Sequence, residues 1–129
     1  MPPTSAPDLD SLRRRAHELH AASRLTEAIQ TQIALVNAAV QAGQVRAEDY
    51  HRLGVMLFAN KDFQGAATAF SFVRQHEPDF HDVALNYGLC LILIDRPQEA
   101  VPELLRALAK RPDSLDALDG LAHAYGKLG

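Results

Sequence analysis

The chain has 129 residues, with 13 lysines and arginines against 16 aspartates and glutamates, and so carries a formal charge of −3. This slight acidity gives no reason to expect nucleic acid or an anionic membrane as a partner. Hydrophobic residues make up 47% of the chain and aromatic residues only 6%, so leucine and alanine carry most of the apolar content. Such a composition supports a buried core and favours helices over strands.

The amino-terminal segment MPPTSAPDLD has neither a basic stretch nor an apolar stretch, and is therefore not a secretory signal. We predict that residues 1–7 form a disordered tail. The longest apolar run, residues 89–94, is far too short to span a membrane. Cys90 lies in this run without a second cysteine, which excludes an internal disulfide and favours a small buried hydrophobic residue. We predict a cytoplasmic protein without membrane insertion.

The first predicted element is an irregular helical pair over residues 8–46. Its segment RLTEAIQTQ is similar to RPQEAVPEL further along the chain, and this similarity aligns Ala28 with Ala66 and Ala100. The step from Ala28 to Ala66 is longer than the step from Ala66 to Ala100. The difference is about four residues, which corresponds to one helical turn. We therefore expect a lengthened second helix that ends near Gly43.

Two helix–turn–helix units follow, over residues 47–80 and 81–114. Equivalent positions are all separated by the same offset: Gly54 and Gly88, Leu57 and Leu91, Ala66 and Ala100, Phe70 and Leu104, Pro78 and Pro112. Within each unit the apolar residues recur at helical spacing, and the terminal proline ends the second helix. A glycine inside a helix costs about 1 kcal/mol relative to alanine. Gly54 and Gly88 therefore indicate close helix contacts, with Ala66 and Ala100 on the opposite side.

This pattern resembles the tetratricopeptide repeat, whose signature W-x2-L-G-x2-Y…A-x3-F…P extends over about 34 residues. The offset between the two units has this length, and both match most of the signature, although Tyr50 and Ala84 replace the tryptophan. The resemblance implies an all-α, right-handed solenoid of helix–turn–helix repeats with about seven helices. It also implies a non-catalytic module for protein–protein interaction.

Residues 115–129 are predicted to be the first helix of a further repeat or a capping helix. Leu118, Leu121 and Tyr125 lie at the apolar positions of that helix, and the chain supplies no second helix to cover them. We expect a fragment of a longer protein, and self-association through this carboxy-terminal helix.

Catalytic and metal-binding patterns are absent from the sequence. It contains no GxGxxG, GxxxxGK[ST], CxxC or GxSxG motif, so no enzyme and no cofactor is predicted. In HEPDFH the two histidines are five residues apart and Pro78 interrupts the helix, which argues against a zinc site. The three arginines at 13–15 point in different directions on a helix, and we interpret them as a solvated face.

The family resemblance also implies a partner-binding groove along the first helices of the repeats. The predicted groove residues are His51, Arg52, Val55, Phe58, Asp82, Leu85, Asn86, Leu89 and Leu93. Further members are Arg13 and His17 upstream, and Asp116, Asp119 and His123 downstream. The expected ligand is a peptide or a partner protein. Because helix 81–94 is apolar nearly all round, either neighbouring repeats bury it completely or part of it forms an apolar groove.

Some family members bind a terminal carboxylate with lysine, arginine and asparagine from three first helices. Here Val55 stands where such a clamp needs asparagine, and Asp116 where it needs lysine. A partial clamp from the upstream pair would place Asp82 where a cation is needed. We therefore do not predict a carboxylate clamp. Two alternatives to a simple adaptor remain: the amino-terminal arm of a larger enzyme, such as a sulfotransferase or glycosyltransferase, and a secretion chaperone.

Overall fold

The computed structural model describes residues 8–129, which fold into seven α-helices without a strand. The predicted disordered tail at 1–7 lies outside these residues. The helices are α1 (Leu9–Ala21), α2 (Leu25–Gln41), α3 (Ala47–Ala59), α4 (Phe63–His76), α5 (Val83–Leu93), α6 (Pro97–Lys110) and α7 (Leu115–Leu128). The predicted all-α solenoid of about seven helices is confirmed.

The helix starts follow from local sequence chemistry. Asp8 and Ser114 precede α1 and α7, and their side-chain oxygens accept hydrogen bonds from the backbone N–H groups of Asp10 and Ala117. Asp62 caps α4 in the same way. These contacts satisfy N–H groups that the first turn of a helix leaves without an intrahelical partner. Pro97 is the first residue of α6, where its missing N–H costs nothing.

The turns between paired helices repeat one conformation. Ser23, Lys61 and Asp95 each follow a first helix and have left-handed backbones, with φ of 61°, 63° and 63°. The next residue in each turn donates its backbone N–H to a carbonyl five residues earlier, at 2.8 to 2.9 Å. This geometry is the Schellman motif, which ends a helix and reverses the chain. The backbone conformation of this turn is therefore the same in all three helix pairs, although the residue in the left-handed conformation is a serine, a lysine or an aspartate.

The additional residues of the first pair lie in α2 and its exit. This helix has 17 residues, whereas α4 and α6 have 14 each. It ends at Gln41, and Gly43 adopts a left-handed φ of 66° just beyond, close to the predicted end. The step from Ser23 to Lys61 equals the step from Ala28 to Ala66, in agreement with the longer offset seen in the sequence.

The core is a series of clusters between neighbouring helices. One joins α1, α2 and α3 around Met56, a second joins α4 and α5 around Phe70, and a third joins α5, α6 and α7 around Leu104. Each helix packs against the next one along the chain, and α5 also packs against α7. A solenoid is expected to bury its apolar surface in this stepwise way.

Both repeat glycines allow a close helix contact, but the facing residues differ from our expectation. A Cβ atom at Gly54 would lie 2.7 Å from the Phe70 ring, and one at Gly88 would lie 2.8 Å from Leu104. The atoms nearest to the two glycines do not belong to Ala66 and Ala100, which we expected on the opposite side of the contact. Both alanines are fully buried, but the large residue one turn later is the one that reaches across to the glycine.

An ion pair connects the first pair of helices to α3. Arg13 of α1 donates to the carboxylate of Asp49, with Nη2–Oδ2 at 2.8 Å, and Gln32 of α2 donates to the Asp49 carbonyl at 2.7 Å. The interpretation of residues 13–15 as a solvated face was therefore wrong for Arg13. A similar pair, Arg74–Glu103, joins α4 to α6 at 2.8 Å.

Helix α7 has one covered side and one open side. Leu118 and Tyr125 occupy the positions that Ala84 and Leu91 hold one repeat earlier. Ala84 and Leu91 are covered by α6, whereas Leu118 and Tyr125 are exposed. Leu121, which we expected to be uncovered as well, is buried in the cluster around Leu104. It points back to the preceding repeat and needs no further helix.

Candidate partner-binding site

The odd-numbered helices α1, α3, α5 and α7 supply most of the side chains on one surface, here called the first-helix face. Clefts that differ in chemistry lie along it. From the carboxy-terminal end they are an apolar cleft, a histidine cleft and an arginine cleft. Each is open to solvent, so side chains of a partner could enter.

The apolar cleft lies between α3, α5 and α7 and has a volume of about 280 Å³. Its lining consists of Phe58, Leu89, Ile92, Leu93, Asp116, Asp119, Gly120 and His123. Leu93 is 50% exposed, and Phe58 is exposed while its ring packs edge-on against Phe63. Helix α5 is thus not fully buried by its neighbours, which answers the question that the sequence left open.

Gly120 lets α7 approach α5 and so forms one wall of the apolar cleft. A Cβ atom there would lie 3.1 Å from Leu89 and from Leu104, which is tighter than an ordinary contact. Gly120 was not predicted from the sequence, because it lies two positions before the place that the repeat offset from Gly88 assigns to a glycine. That place is taken by Ala122, which is exposed. A glycine inside an otherwise good helix was the remaining signal.

The histidine cleft lies between α1, α3 and the loop before α5. It has a volume of about 310 Å³ and is lined by His20, Glu48, His51, Arg52, Val55 and His81. His51 is half-buried against Phe70, Phe80 and the His81 ring, whose centroid is 5.4 Å away. Burial, and secondarily the charge of His81, lower the pKa of His51. Its Nε2 atom is buried and has no hydrogen-bond partner among residues 8–129.

The arginine cleft occupies the amino-terminal end of the face, with a volume of about 310 Å³. Its lining consists of Arg13, Arg14, His17, Gln32, Leu35, Arg46, Glu48, Asp49 and Arg52. Arg13 is held by Asp49, and Arg52 contacts both Glu48 and His17. Four arginines face two carboxylates, so this end of the face is positively charged.

The predicted groove residues are distributed over several depressions. Phe58, Leu89 and Leu93 line the apolar cleft, whereas His51, Arg52 and Val55 line the histidine cleft. Asp82 and Leu85 line a separate depression with Arg106, Lys110 and Arg111 of α6 and its exit. Asp82 pairs with Arg111 at 3.7 Å. Asn86 is half-buried on α5. Asp82 and Leu85 therefore line a different depression from the other predicted residues, although His81 borders both this depression and the histidine cleft.

The single cysteine of the chain is not accessible on this face. Cys90 is buried beneath it, and this burial raises the pKa of its thiol to about 12. Within residues 8–129, no three histidine, cysteine or acidic side chains are arranged to hold a metal ion. None of the helices over the same range has the length and apolar character needed to cross a membrane.

A family model for the tetratricopeptide repeat matches residues 57–124, more than half of the sequence. The chain therefore belongs to the tetratricopeptide repeat family. No curated protein gives a significant match.

Solved structures with the same fold include MamA from Desulfovibrio magneticus RS-1. It is 20% identical, with a TM-score of 0.81 over 95% of this chain and 67% of MamA. The first such domain of Spaghetti (RPAP3), bound to an HSP90 peptide, is 14% identical with a TM-score of 0.77 over 96% and 95% of the two chains. The second domain of human RPAP3, in complex with an HSP70 peptide, is 12% identical with a TM-score of 0.75 over 91% and 94%. At these identities the similarity establishes the fold alone.

Proposed function

We propose that this chain is a non-catalytic interaction module that binds a peptide or a partner protein on its first-helix face. The observation that carries the proposal is the apolar cleft, where Phe58 and Leu93 remain exposed on neighbouring helices. Exposed apolar side chains in a concave setting favour the docking of a complementary segment. Two neighbours of the same fold hold HSP90 and HSP70 peptides, which supports this use of the fold.

The open shape of the apolar cleft favours a peptide over a small-molecule substrate. Sites for drug-sized molecules usually enclose about 300–1,000 Å³ and bury most of the ligand. The apolar cleft offers about 280 Å³ and is open along one side. It can hold one or two anchoring side chains of a longer segment, while the rest of that segment lies along the face.

Peptide selection with two matched variants tests the proposal. Peptides displayed on phage would be enriched on the immobilised chain and then measured against Leu93→Arg and Leu105→Arg. Leu93 on α5 and Leu105 on α6 are 50% and 48% exposed, so both substitutions add the same charge at equal exposure. Binding that is lost in the first variant and kept in the second supports the proposal. Equal loss in both, or no enrichment at all, contradicts it.

We also infer that the open side of α7 mediates self-association. Leu118 and Tyr125 are exposed at positions whose equivalents in α5 are covered by a second helix. Another copy of the chain can cover the same surface. This surface is separate from the apolar cleft, so the two contacts do not compete for side chains.

A further inference from the structure

The rim of the apolar cleft is acidic, and its carboxylates have no partner within the described residues. Asp116 and Asp119 lie one turn apart on α7 and both line the cleft. Neither forms an ion pair with another group of residues 8–129, whereas Asp82 pairs with Arg111 and Asp95 pairs with Lys127. A ligand segment can place an apolar side chain in the cleft while a neighbouring cationic side chain contacts these carboxylates.

The opposite end of the same face carries the opposite charge. Arg14 and Arg46 line the arginine cleft and are exposed to solvent. Arg13 and Arg52 pair with acids, so Arg14 and Arg46 remain as surplus cations of this cleft. A basic segment is therefore repelled at the amino-terminal end and attracted at the carboxy-terminal end. The opposite charges at the two ends of the face therefore select the partner by its charge and determine where along the face it binds.

We propose that the apolar cleft binds a partner segment in which bulky apolar residues are flanked by lysine or arginine. The proposal rests on the proposed function and adds the chemistry of the ligand. The apolar side chains insert between Phe58 and Leu93, and the flanking cations contact Asp116 and Asp119. The stems of lysine or arginine cover the apolar margin of the cleft at the same time.

Calorimetric titration with three capped peptides tests the proposal at neutral pH and low salt. The probes are acetyl-Gly-Ser-Lys-Leu-Phe-Lys-Ser-Gly-amide, the same peptide with glutamate at both lysines, and the same peptide with serine at leucine and phenylalanine. Capping removes terminal charges that would otherwise obscure the comparison. The lysine peptide should bind about three- to tenfold more tightly than the glutamate peptide, as expected for two exposed ion pairs. The serine peptide should show no measurable binding.

Three variants separate the contributions. D116N/D119N should weaken the lysine peptide about three- to tenfold and bring the two charged peptides close together in affinity. E77Q/D113N removes the same charge at exposed residues that do not line the apolar cleft, and should leave the preference unchanged. L93S should weaken both charged peptides, since it removes the apolar contact without adding charge.

The outcomes distinguish this proposal from the proposed function. Equal affinity for the lysine and glutamate peptides, or an equal effect of D116N/D119N and E77Q/D113N, overturns the basic–apolar ligand. The phage selection can instead enrich peptides that lack flanking lysine or arginine and that no longer bind to Leu93→Arg. In that case the proposed function stands and only this inference fails. If no selected peptide binds at all, both fail.

Discussion

Arg13 and Asp49 are far apart in sequence, yet their side chains form a two-pronged ion pair between α1 and α3, with N–O distances of 3.0 and 2.8 Å. The Asp49 side chain is only 3% exposed. Its Oδ2 also accepts a hydrogen bond from the backbone N–H of Arg46 at 3.1 Å, just before α3 begins. The pair thus fixes the irregular first helices to the regular repeats and shapes the arginine cleft.

Removal of this carboxylate should be strongly destabilising. Asp49→Ala leaves the half-buried Arg13 guanidinium with only the exposed Asp10 as an acidic partner, and loss of one member of a buried pair costs about 3–5 kcal/mol. Urea denaturation followed by circular dichroism gives the free energy of unfolding. Asp10→Ala is the control, because Asp10 also pairs with Arg13 but its side chain is 78% exposed. It should cost less than about 1 kcal/mol. Similar losses in both variants would contradict a structural role for Asp49.

Gly54 should not tolerate even one added methyl group. A Cβ atom at 2.7 Å from the Phe70 ring forces the ring or the helix to move, and overpacking of this kind costs about 1–3 kcal/mol. Gly126→Ala is the matched control, since a Cβ there has no heavy atom of the described part of the chain within 4 Å and α7 gains helix propensity. Thermal melts should shift downward for Gly54→Ala and stay level or rise for Gly126→Ala. A Gly54→Ala variant as stable as the parent would refute the close contact.

Replacement of Lys61 by glycine, in the turn between α3 and α4, should stabilise the chain. Lys61 has a φ of 63°, a conformation that costs non-glycine residues about 1–2 kcal/mol. Lys61→Gly removes this strain, although glycine also adds entropy to the unfolded chain, so we expect a net gain of about 0.5–1 kcal/mol. Lys61→Ala removes the same charge and retains the strain. A gain in the glycine variant without a gain in the alanine variant is the expected result in urea denaturation.

Mild acid should weaken the fold through His51. Its ordinary pKa is 6.5 and burial lowers this value in the folded chain, so the unfolded chain binds a proton first as the pH falls. The corresponding stability is complete above about pH 6.5 and is lost as the pH falls through the lower folded pKa. The charged or titratable neighbours that modify this behaviour are His81, Glu48, Arg52 and Asp82.

His51→Phe tests this pH dependence directly. The new ring can pack against Phe70 and Phe80 without a group that titrates, so the variant should unfold with a weaker dependence on pH below 6.5. Free energies of unfolding measured across this range for parent and variant provide the comparison. Identical slopes would show that another group governs the acid response.

The open side of α7 should cause concentration-dependent association. Leu118→Lys with Tyr125→Lys places charge on this surface, so sedimentation should show less dimer than the parent. Leu105→Lys serves as a control at an exposed leucine on α6. A parent chain that remains monomeric at high concentration would disprove self-association through α7.

The sequence predicted the features that recur with the repeat. The constant offset between the two units located the paired helices, and the cost of a mid-helix glycine pointed to the close contacts at Gly54 and Gly88. The lengthening of α2 also followed from a simple change in this offset. At these positions the local helix propensity and the periodic packing favour the same structure, so the sequence alone was sufficient to predict it.

Features that occur once were not predictable in the same way. The Arg13–Asp49 pair depends on how an irregular helix pair docks, and no periodic pattern encodes it. Leu121 is buried because it points toward α5 and α6, whereas we expected it on the open side of α7 together with Leu118 and Tyr125. Asp82 lies just before α5 and next to the end of α6. Its position in the repeat signature did not reveal that it lines the depression beside α6.

The location of a bound segment tests the central claim most directly. A peptide enriched by selection, with a photoreactive group at its apolar position, would be crosslinked to the chain and mapped by mass spectrometry. We predict crosslinks to Phe58, Leu93 and the α7 residues that line the apolar cleft. Crosslinks confined to α2, α4 or α6 would contradict binding on the first-helix face.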